Sequence, residues 1–296
     1  MRESQAAKPR ASIATPSGTT RTGTRRQPRR HAGKHPRRHK QRPWWRRVPV
    51  WGYAAGIAAA LAIYVVLLNK FIVAPFSLPW QGIFGEHRSP EGFEVRGIDI
   101  SHHQGTIDWD ALPAADVDGQ PLSFVFMKAT EGTDLVDEHY AANLRQAHEH
   151  GLVCGAYHFF NPDSDARRQA QHFIRHAGLL AGDLPPVLDV EKRGHLSEGE
   201  LQAAVITWLR IVEQYYGAPP ILYTGASFKH RHLNDARFTP YPYWIAHYYV
   251  QRPSYDGTWA FWQYTDVGNM AGIRGHVDLD IFNGTPAELQ ELTLKE

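Results

Sequence analysis

The pattern of apolar and polar positions divides the chain into unlike parts. The first forty-odd residues hold almost no large apolar side chain and show no period. Such a segment cannot bury enough surface to offset its ordering entropy, so residues 1–47 read as a disordered tail. Residues 48–68, VPVWGYAAGIAAALAIYVVLL, then run for twenty-one positions without a charge. At about 1.5 Å per residue this helix would reach about 30 Å, one hydrocarbon thickness, and it predicts a transmembrane helix. Residues 69–92 carry Pro75, Pro79 and Pro90 and read as a linker.

From about residue 93 the pattern changes again. Short apolar runs predict strands over 95–100, 123–129, 152–160, 185–191, 220–225, 241–248 and 260–265. Between them, helical spacing predicts helices over 137–151, 164–180 and 196–217. The last opens on Ser197-x-x-Glu200, a capping box, and the second on Ser164 as its cap. This alternation predicts an α/β fold with a mainly parallel sheet, most naturally an irregular TIM-like β/α barrel over 93–288. Residues 289–296 read as a C-terminal tail.

Charge sharpens the division. Residues 1–47 carry fifteen Lys or Arg and one acid, Glu3, a balance of +14. The whole chain is only +2, so the rest is −12. A basic tail can bind nucleic acid, but the adjacent apolar span gives a closer explanation. Arg42, Arg46 and Arg47 precede the span and only Lys70 lies near after it. The positive-inside rule then places the N-terminus in the cytoplasm and residues 70–296 outside the inner membrane. Trp44, Trp45 and Trp51 suit an interfacial belt. A cleaved signal peptide is the rival reading, with a normally shorter apolar core and a small-residue cleavage site that is not evident here. The single cysteine, Cys154, sits in an apolar run and reads as a small buried residue.

In barrels of this kind chemistry gathers at the carboxyl ends of the strands. The polar and aromatic residues at those ends are Asp99, Lys128, Glu131, Tyr157, His158, Asp189, Glu191, Tyr223, Trp244, Tyr248, Gln263, Tyr264 and Asp278. Four carboxylates ringed by aromatic rings suit a carbohydrate cleft, where rings stack on sugars and acids and amides bond hydroxyls. In a strand, residues i and i+2 face the same way, so Asp189 and Glu191 share one mouth of the barrel. Two close carboxylates resist double ionisation, leaving one proton donor and one anion, the division that glycosidic cleavage uses. No G-x-G-x-x-G or P-loop supports a nucleotide site, and no H-E-x-x-H or comparable histidine triad supports a metal.

Six blocks carry a family likeness: GIDISHHQGTIDW (97–109), residues 126–160, LDVE (188–191), WIAHY (244–248), FWQYT (261–265) and VDLDIF (277–282). Together, and in this order, they resemble glycoside hydrolase family 25, the Chalaropsis-type lysozymes. The likeness spans about 93–285 and omits the tail, the span and the linker. It implies hydrolysis of the β-1,4 bond from N-acetylmuramic acid to N-acetylglucosamine in peptidoglycan, with retention, no cofactor and no metal. The family's D-x-E falls on Asp189 and Glu191, its opening aspartate on Asp99, and its late V-D on Asp278. Glu191 is then the general acid and base. Asp189 is either a covalent nucleophile or the group that orients the substrate's 2-acetamido, and its spacing from Glu191 fits the second better. Asp99 and Asp278 would tune charge, and Tyr157 would bond the acetamido. The remaining rim residues, Lys128, Glu131, Tyr223, Trp244, Tyr248, Gln263 and Tyr264, would bind substrate, with His158 a hydrogen-bonding support.

The chain departs from the family pattern at Asp280, where asparagine is common; little effect is expected. Its anchor is the larger departure. The resulting expectation is a monomeric, single-pass enzyme of the cytoplasmic membrane, acting on nearby glycan strands and not on nucleic acid. Two alternatives remain at this point: a wall-binding module without turnover, and a hydrolase of chitin or another N-acetylglucosamine polymer.

Overall fold

The structure, a computed structural model, describes residues 49–68, 89–112 and 116–296. The basic tail predicted over 1–47 and most of the linker predicted over 69–92 lie outside these. The chain divides into two units, one ending at Leu68 and one running from Asn69 to Glu296. In the first, helix α1 (Val50–Leu68) forms at the predicted span, nineteen residues long and without charge. The side chains at 50, 53–56 and 65–68 lie outside the described set, and among the described residues no helix is long and apolar enough to cross a membrane.

The second unit is a barrel. Its strands are β1 (Val95–Ile100), β2 (Asp116–Val117), β3 (Gln120–Glu131), β4 (Leu135–Val136), β5 (Val153–Phe159), β6 (Val187–Asp189), β7 (Ile221–Gly225), β8 (Tyr243–Ala246), β9 (Phe261–Gly268) and β10 (Val277–Phe282). Hydrogen bonds run from β1 through β3, β5, β6, β7, β8, β9 and β10 and back to β1, so among the described residues eight strands close the ring. The pairings from β1 to β9 around the ring are parallel, whereas β10 is antiparallel to both of its neighbours. That reversed strand makes the predicted TIM-like barrel irregular. The short strands β2 and β4 extend β3.

The predicted helices form as α2 (Tyr140–Glu149), α3 (Ala166–Ala177) and α4 (Glu198–Tyr216). Their ends follow local chemistry. Ser197 accepts from Glu200 N while the Glu200 side chain bonds back to Ser197, and Gly217, at φ 69°, closes α4. The N-cap of α3 is Asp165, not the predicted Ser164; its carboxylate accepts from Arg168 N at 2.8 Å. Two short helices, α5 (Ala226–His232) and α6 (Pro286–Leu292), complete the set. Past α6, the residues expected as a tail are tied to the barrel: Leu294 is buried, and its N–H donates to Asp183 O at 2.7 Å.

Alternation along each strand builds two cores. Outward residues meet the helices, as where His158 of β5 stacks on Trp208 of α4 with ring centroids 5.6 Å apart. Inward residues fill the barrel with Phe124, Phe126, Trp244 and Phe261. Glycine makes room for these rings. A Cβ at Gly97 of β1 would lie 2.2 Å from Phe124, and one at Gly155 of β5 would lie 2.4 Å from Phe126. Phe126 in turn stacks on Trp244 at 4.3 Å. This aromatic plug is the floor on which the cleft stands.

Candidate active site

A cleft of about 190 Å³ opens at the carboxyl ends of the parallel strands. Asp99, Lys128, Tyr157, Asp189, Glu191, Tyr223, Trp244, Tyr248, Gln263 and Asp278 line it, so ten of the thirteen residues expected there converge from eight chain segments. A larger depression of about 460 Å³ lies at the opposite end of the barrel, around Trp259, Asn283 and Glu288. It gathers no buried acids, and the chemistry belongs to the smaller cleft.

Asp189 ends β6. The strand is shorter than the predicted 185–191, but Val190 N still donates to Tyr223 O at 3.0 Å and Val190 turns outward into the helix-facing core. Asp189 and Glu191 therefore both face the cleft on either side of it, as the i, i+2 rule requires. Asp189 is 6% exposed, and its Oδ1 has no hydrogen-bond partner among the described residues. Burial holds its carboxyl well above the usual range, with Glu191 and Asp99 adding repulsion. Glu191 is open to solvent along the cleft yet surrounded by protein beneath. That burial raises its pKa, against the opposing pull of Lys192 and Lys128.

Asp99 and Asp278 stand opposite each other in the β1–β10 register. Gln263 of β9 joins them, donating Nε2 to Asp99 Oδ2 at 2.6 Å and to Asp278 Oδ2 at 3.1 Å. Its Oε1 accepts from Tyr223 OH at 2.7 Å and from Tyr248 OH at 2.6 Å. One amide thus fixes two acids and two phenols. Burial raises Asp99 well above the usual range and Asp278 to about 9. Lys128 Nζ pairs with Glu131 Oε2 at 2.6 Å and lies 5.0 Å from the Phe159 ring centroid, with Lys192 Nζ 5.3 Å from the same ring.

Three expected site residues sit elsewhere. His158 is a correction: it is fully buried between barrel and helices, stacked on Trp208 at 5.6 Å, with Nδ1 2.7 Å from Thr130 Oγ1 and Nε2 3.1 Å from Gln169 Oε1. Tyr264 also faces outward, its hydroxyl donating to Asp118 Oδ2 at 2.6 Å. The reason is the strand period: Tyr157 and His158 are adjacent, as are Gln263 and Tyr264, so only one of each pair can face the cleft. Glu131 falls just outside the lining because the β3–β5 register shifts between Lys128 and Thr130, and it reaches the site only through Lys128. The sequence reading missed Ser101, His103 and Phe159. Phe159 was accessible to it, two residues beyond Tyr157 on the same strand. His103 sits in a one-turn 3-10 helix capped by Ser101, which no period announces.

Metal ligation has one candidate cluster among the described residues, His148, Cys154 and Asp183, whose ligand atoms lie within 4.8 Å of one another. It is on the helix side of β5. His148 Nε2 already pairs with Asp183 Oδ1 at 2.6 Å, and burial pushes the Cys154 thiol far up, so the donor set fits a cation poorly.

Convergent buried acids, an aromatic wall and a β/α barrel define a glycoside hydrolase. The chain belongs to the glycosyl hydrolases family 25, whose model matches residues 98–273. It is 46% identical over 204 residues to the uncharacterized protein YegX of Escherichia coli K12, covering 69% of this chain and 75% of that one. Against Lysozyme M1 of Streptomyces globisporus the identity is 35% over 213 residues, 67% of this chain and 71% of the other. Among solved structures, the bacterial lysozyme from Streptomyces coelicolor superposes with a TM-score of 0.63 at 32% identity, covering 68% of this chain and 97% of that one. The protein is a glycoside hydrolase of the lysozyme type.

Proposed function

We propose that the protein is a membrane-tethered N-acetylmuramidase. It hydrolyses the β-1,4 bond between N-acetylmuramic acid and N-acetylglucosamine in peptidoglycan, with retention at the anomeric carbon. The observation that carries the mechanism is the pair on and just beyond β6. Glu191, raised by burial and reachable from solvent, protonates the leaving glycosidic oxygen and then activates water. Asp189 offers a buried oxygen without a protein donor. The N–H of a 2-acetamido group supplies such a donor, and Asp189 then orients the acetamido oxygen toward the anomeric carbon and stabilises the oxazolinium charge. Tyr157 stands on the same face of β5 to bond that group. Asp99 and Asp278, held by Gln263, line the cleft beneath the reacting pair and fix its polar floor.

What speaks for tethering is the uncharged run of the sequence over 48–68 and the +14 balance of the residues that precede it. The orientation is N-terminus in the cytoplasm and barrel outside. Carbonate extraction and protease protection test it: a chain released by carbonate, or a barrel digested only after lysis of the inner membrane, would remove the tether or reverse the topology.

The chemistry is tested with the detergent-solubilised full chain and its Glu191→Gln variant. Purified peptidoglycan is digested, new reducing ends are trapped with borohydride, and the products are identified by mass spectrometry. Muramitol ends from the unaltered protein alone are expected. Glucosaminitol ends would reassign the bond. No new ends, with wall binding retained by both proteins, would make the barrel a binding module, and turnover of chitin in preference to peptidoglycan would reassign the polymer.

A further inference from the structure

A fifth acid lies under the cleft and has no part in the mechanism above. Asp280 is on β10, two residues below Asp278, and pairs in register with Gly97 of β1 and Gln263 of β9. It is fully buried. Its Oδ1 accepts from Trp244 Nε1 at 2.8 Å. Its Oδ2 meets no N–H or O–H donor among the described residues. Gln263, its register partner on β9, also bonds Asp99, which is two residues along β1 from Gly97, so the two buried carboxyls are neighbours that act on each other. Two carboxylates cannot hydrogen-bond each other; one of the two must carry a proton.

We propose that Asp280 is a positioning residue of the glycosidase site, sharing a single proton with Asp99 and thereby fixing the charge and orientation of Asp99 beneath the reacting pair. This rests on the muramidase reading for its kinetic consequences, but not for the shared proton itself. Each carboxyl already accepts one bond, Asp99 Oδ2 from Gln263 and Asp280 Oδ1 from Trp244, so the proton lies between the two acids and belongs to the pair. The acids nearest the pair are Asp278, Glu191 and Asp189; Lys128 lines the same cleft and acts on Asp189 and Glu191, and among the described residues no lysine or arginine bonds either carboxyl of the pair. Without a cation bonded to either carboxyl among the described residues, a doubly ionised pair would be poorly compensated in the barrel interior, where the loss of hydration is large. Sharing one proton leaves a single negative charge on the pair. Through Gln263 the same contact sets Asp278, Tyr223 and Tyr248, and through Oδ1 it seats Trp244, whose ring is one wall of the cleft.

Asparagine provides the discriminating substitution. In Asp280→Asn the amide oxygen still accepts from Trp244, and the amide N–H₂ donates to Asp99 without a shared proton. Asp280→Leu keeps the branched shape, at a larger volume, and removes both bonds. Infrared difference spectra of the full chain at neutral pH should show a protonated-carboxyl C=O stretch that Asp280→Asn lacks. On peptidoglycan, Asp280→Asn should keep kcat within about threefold, while Asp280→Leu should lose about tenfold or more in kcat with a smaller change in KM. An unchanged carboxyl stretch in Asp280→Asn would overturn the shared proton, and a loss of kcat in Asp280→Asn equal to that in Asp280→Leu would overturn the positioning role. If the unaltered protein does not cleave peptidoglycan, the muramidase reading fails, and the infrared result alone decides the shared proton.

Discussion

At the scale of single residues, the site works by unequal environments for like groups. Asp189 and Glu191 are both pushed up by burial, but Asp189 is sealed in while Glu191 opens to solvent, so Glu191 is the one that exchanges protons. Glu191 must be protonated to donate, so kcat/KM should fall as pH rises through its raised pKa. Lys128 pulls that pKa down. Lys128→Met should therefore move the alkaline limb of the pH–rate profile to higher pH, and a limb that stays put or moves down would remove Glu191 as its origin. Asp189→Asn keeps the size but loses the anion, and should lower kcat on the order of 10²-fold or more, with KM changed far less. An effect confined to KM would assign Asp189 to binding alone. These acids were legible in the sequence because period two puts Asp189 and Glu191 on one face whatever the sheet around them. The same rule, applied to neighbours, would have excluded His158 and Tyr264. Asp280 was beyond it: its importance comes from lying diagonal to Asp99 on the neighbouring strand, 181 positions away in sequence.

At the scale of elements, the barrel is a fit between rings and glycines. Gly155 has no space for a side chain against Phe126, so Gly155→Ala should destabilise the fold by about 1–3 kcal/mol through overpacking. Thermal unfolding checks this, and adding Phe126→Leu to the Gly155→Ala variant should recover part of the loss; additive losses would mean that the two sites do not compete for the same volume. Helix α4 stands on its capping box, so Ser197→Ala should cost about 1 kcal/mol. The helices and the parallel strands were readable because capping residues, terminal glycines and apolar periods are local signals. The direction of β10 was not. VDLDIF has the same alternation whether it runs up or down the barrel, and only its pairing with β1 and β9 makes it antiparallel.

At the scale of the whole molecule, buried titratable groups make stability a function of pH, and two of them act in opposite directions. Burial lowers His158 to about 3, so between about 3 and the ordinary value of 6.5 the unfolded chain binds a proton the fold refuses, and stability rises with pH. Asp278 is raised from 3.8 to about 9, so the fold keeps a proton the unfolded chain loses, and stability falls as pH rises across that window. His158 opposes that fall up to about 6.5; above it the fall due to Asp278, together with the other raised carboxyls Asp99 and Asp189, is no longer opposed by His158. Melting temperature should decline from pH 6.5 to pH 9, and Asp278→Asn should flatten that decline. A slope unchanged in Asp278→Asn would place the linked proton elsewhere. By itself, the sequence determined the uneven charge and hydropathy along the chain, the order of the seven parallel strands and three longer helices of the barrel, and the acids at the strand ends. Each of these follows from composition or from a period along a few consecutive residues. The tertiary structure alone decided which residue of each adjacent pair enters the cleft, that β10 runs against its neighbours, that Gln263 ties two acids to two phenols, and that Asp280 lies diagonal to Asp99. Those outcomes depend on closing the ring of strands, and closure is a relation between distant segments that no local pattern contains.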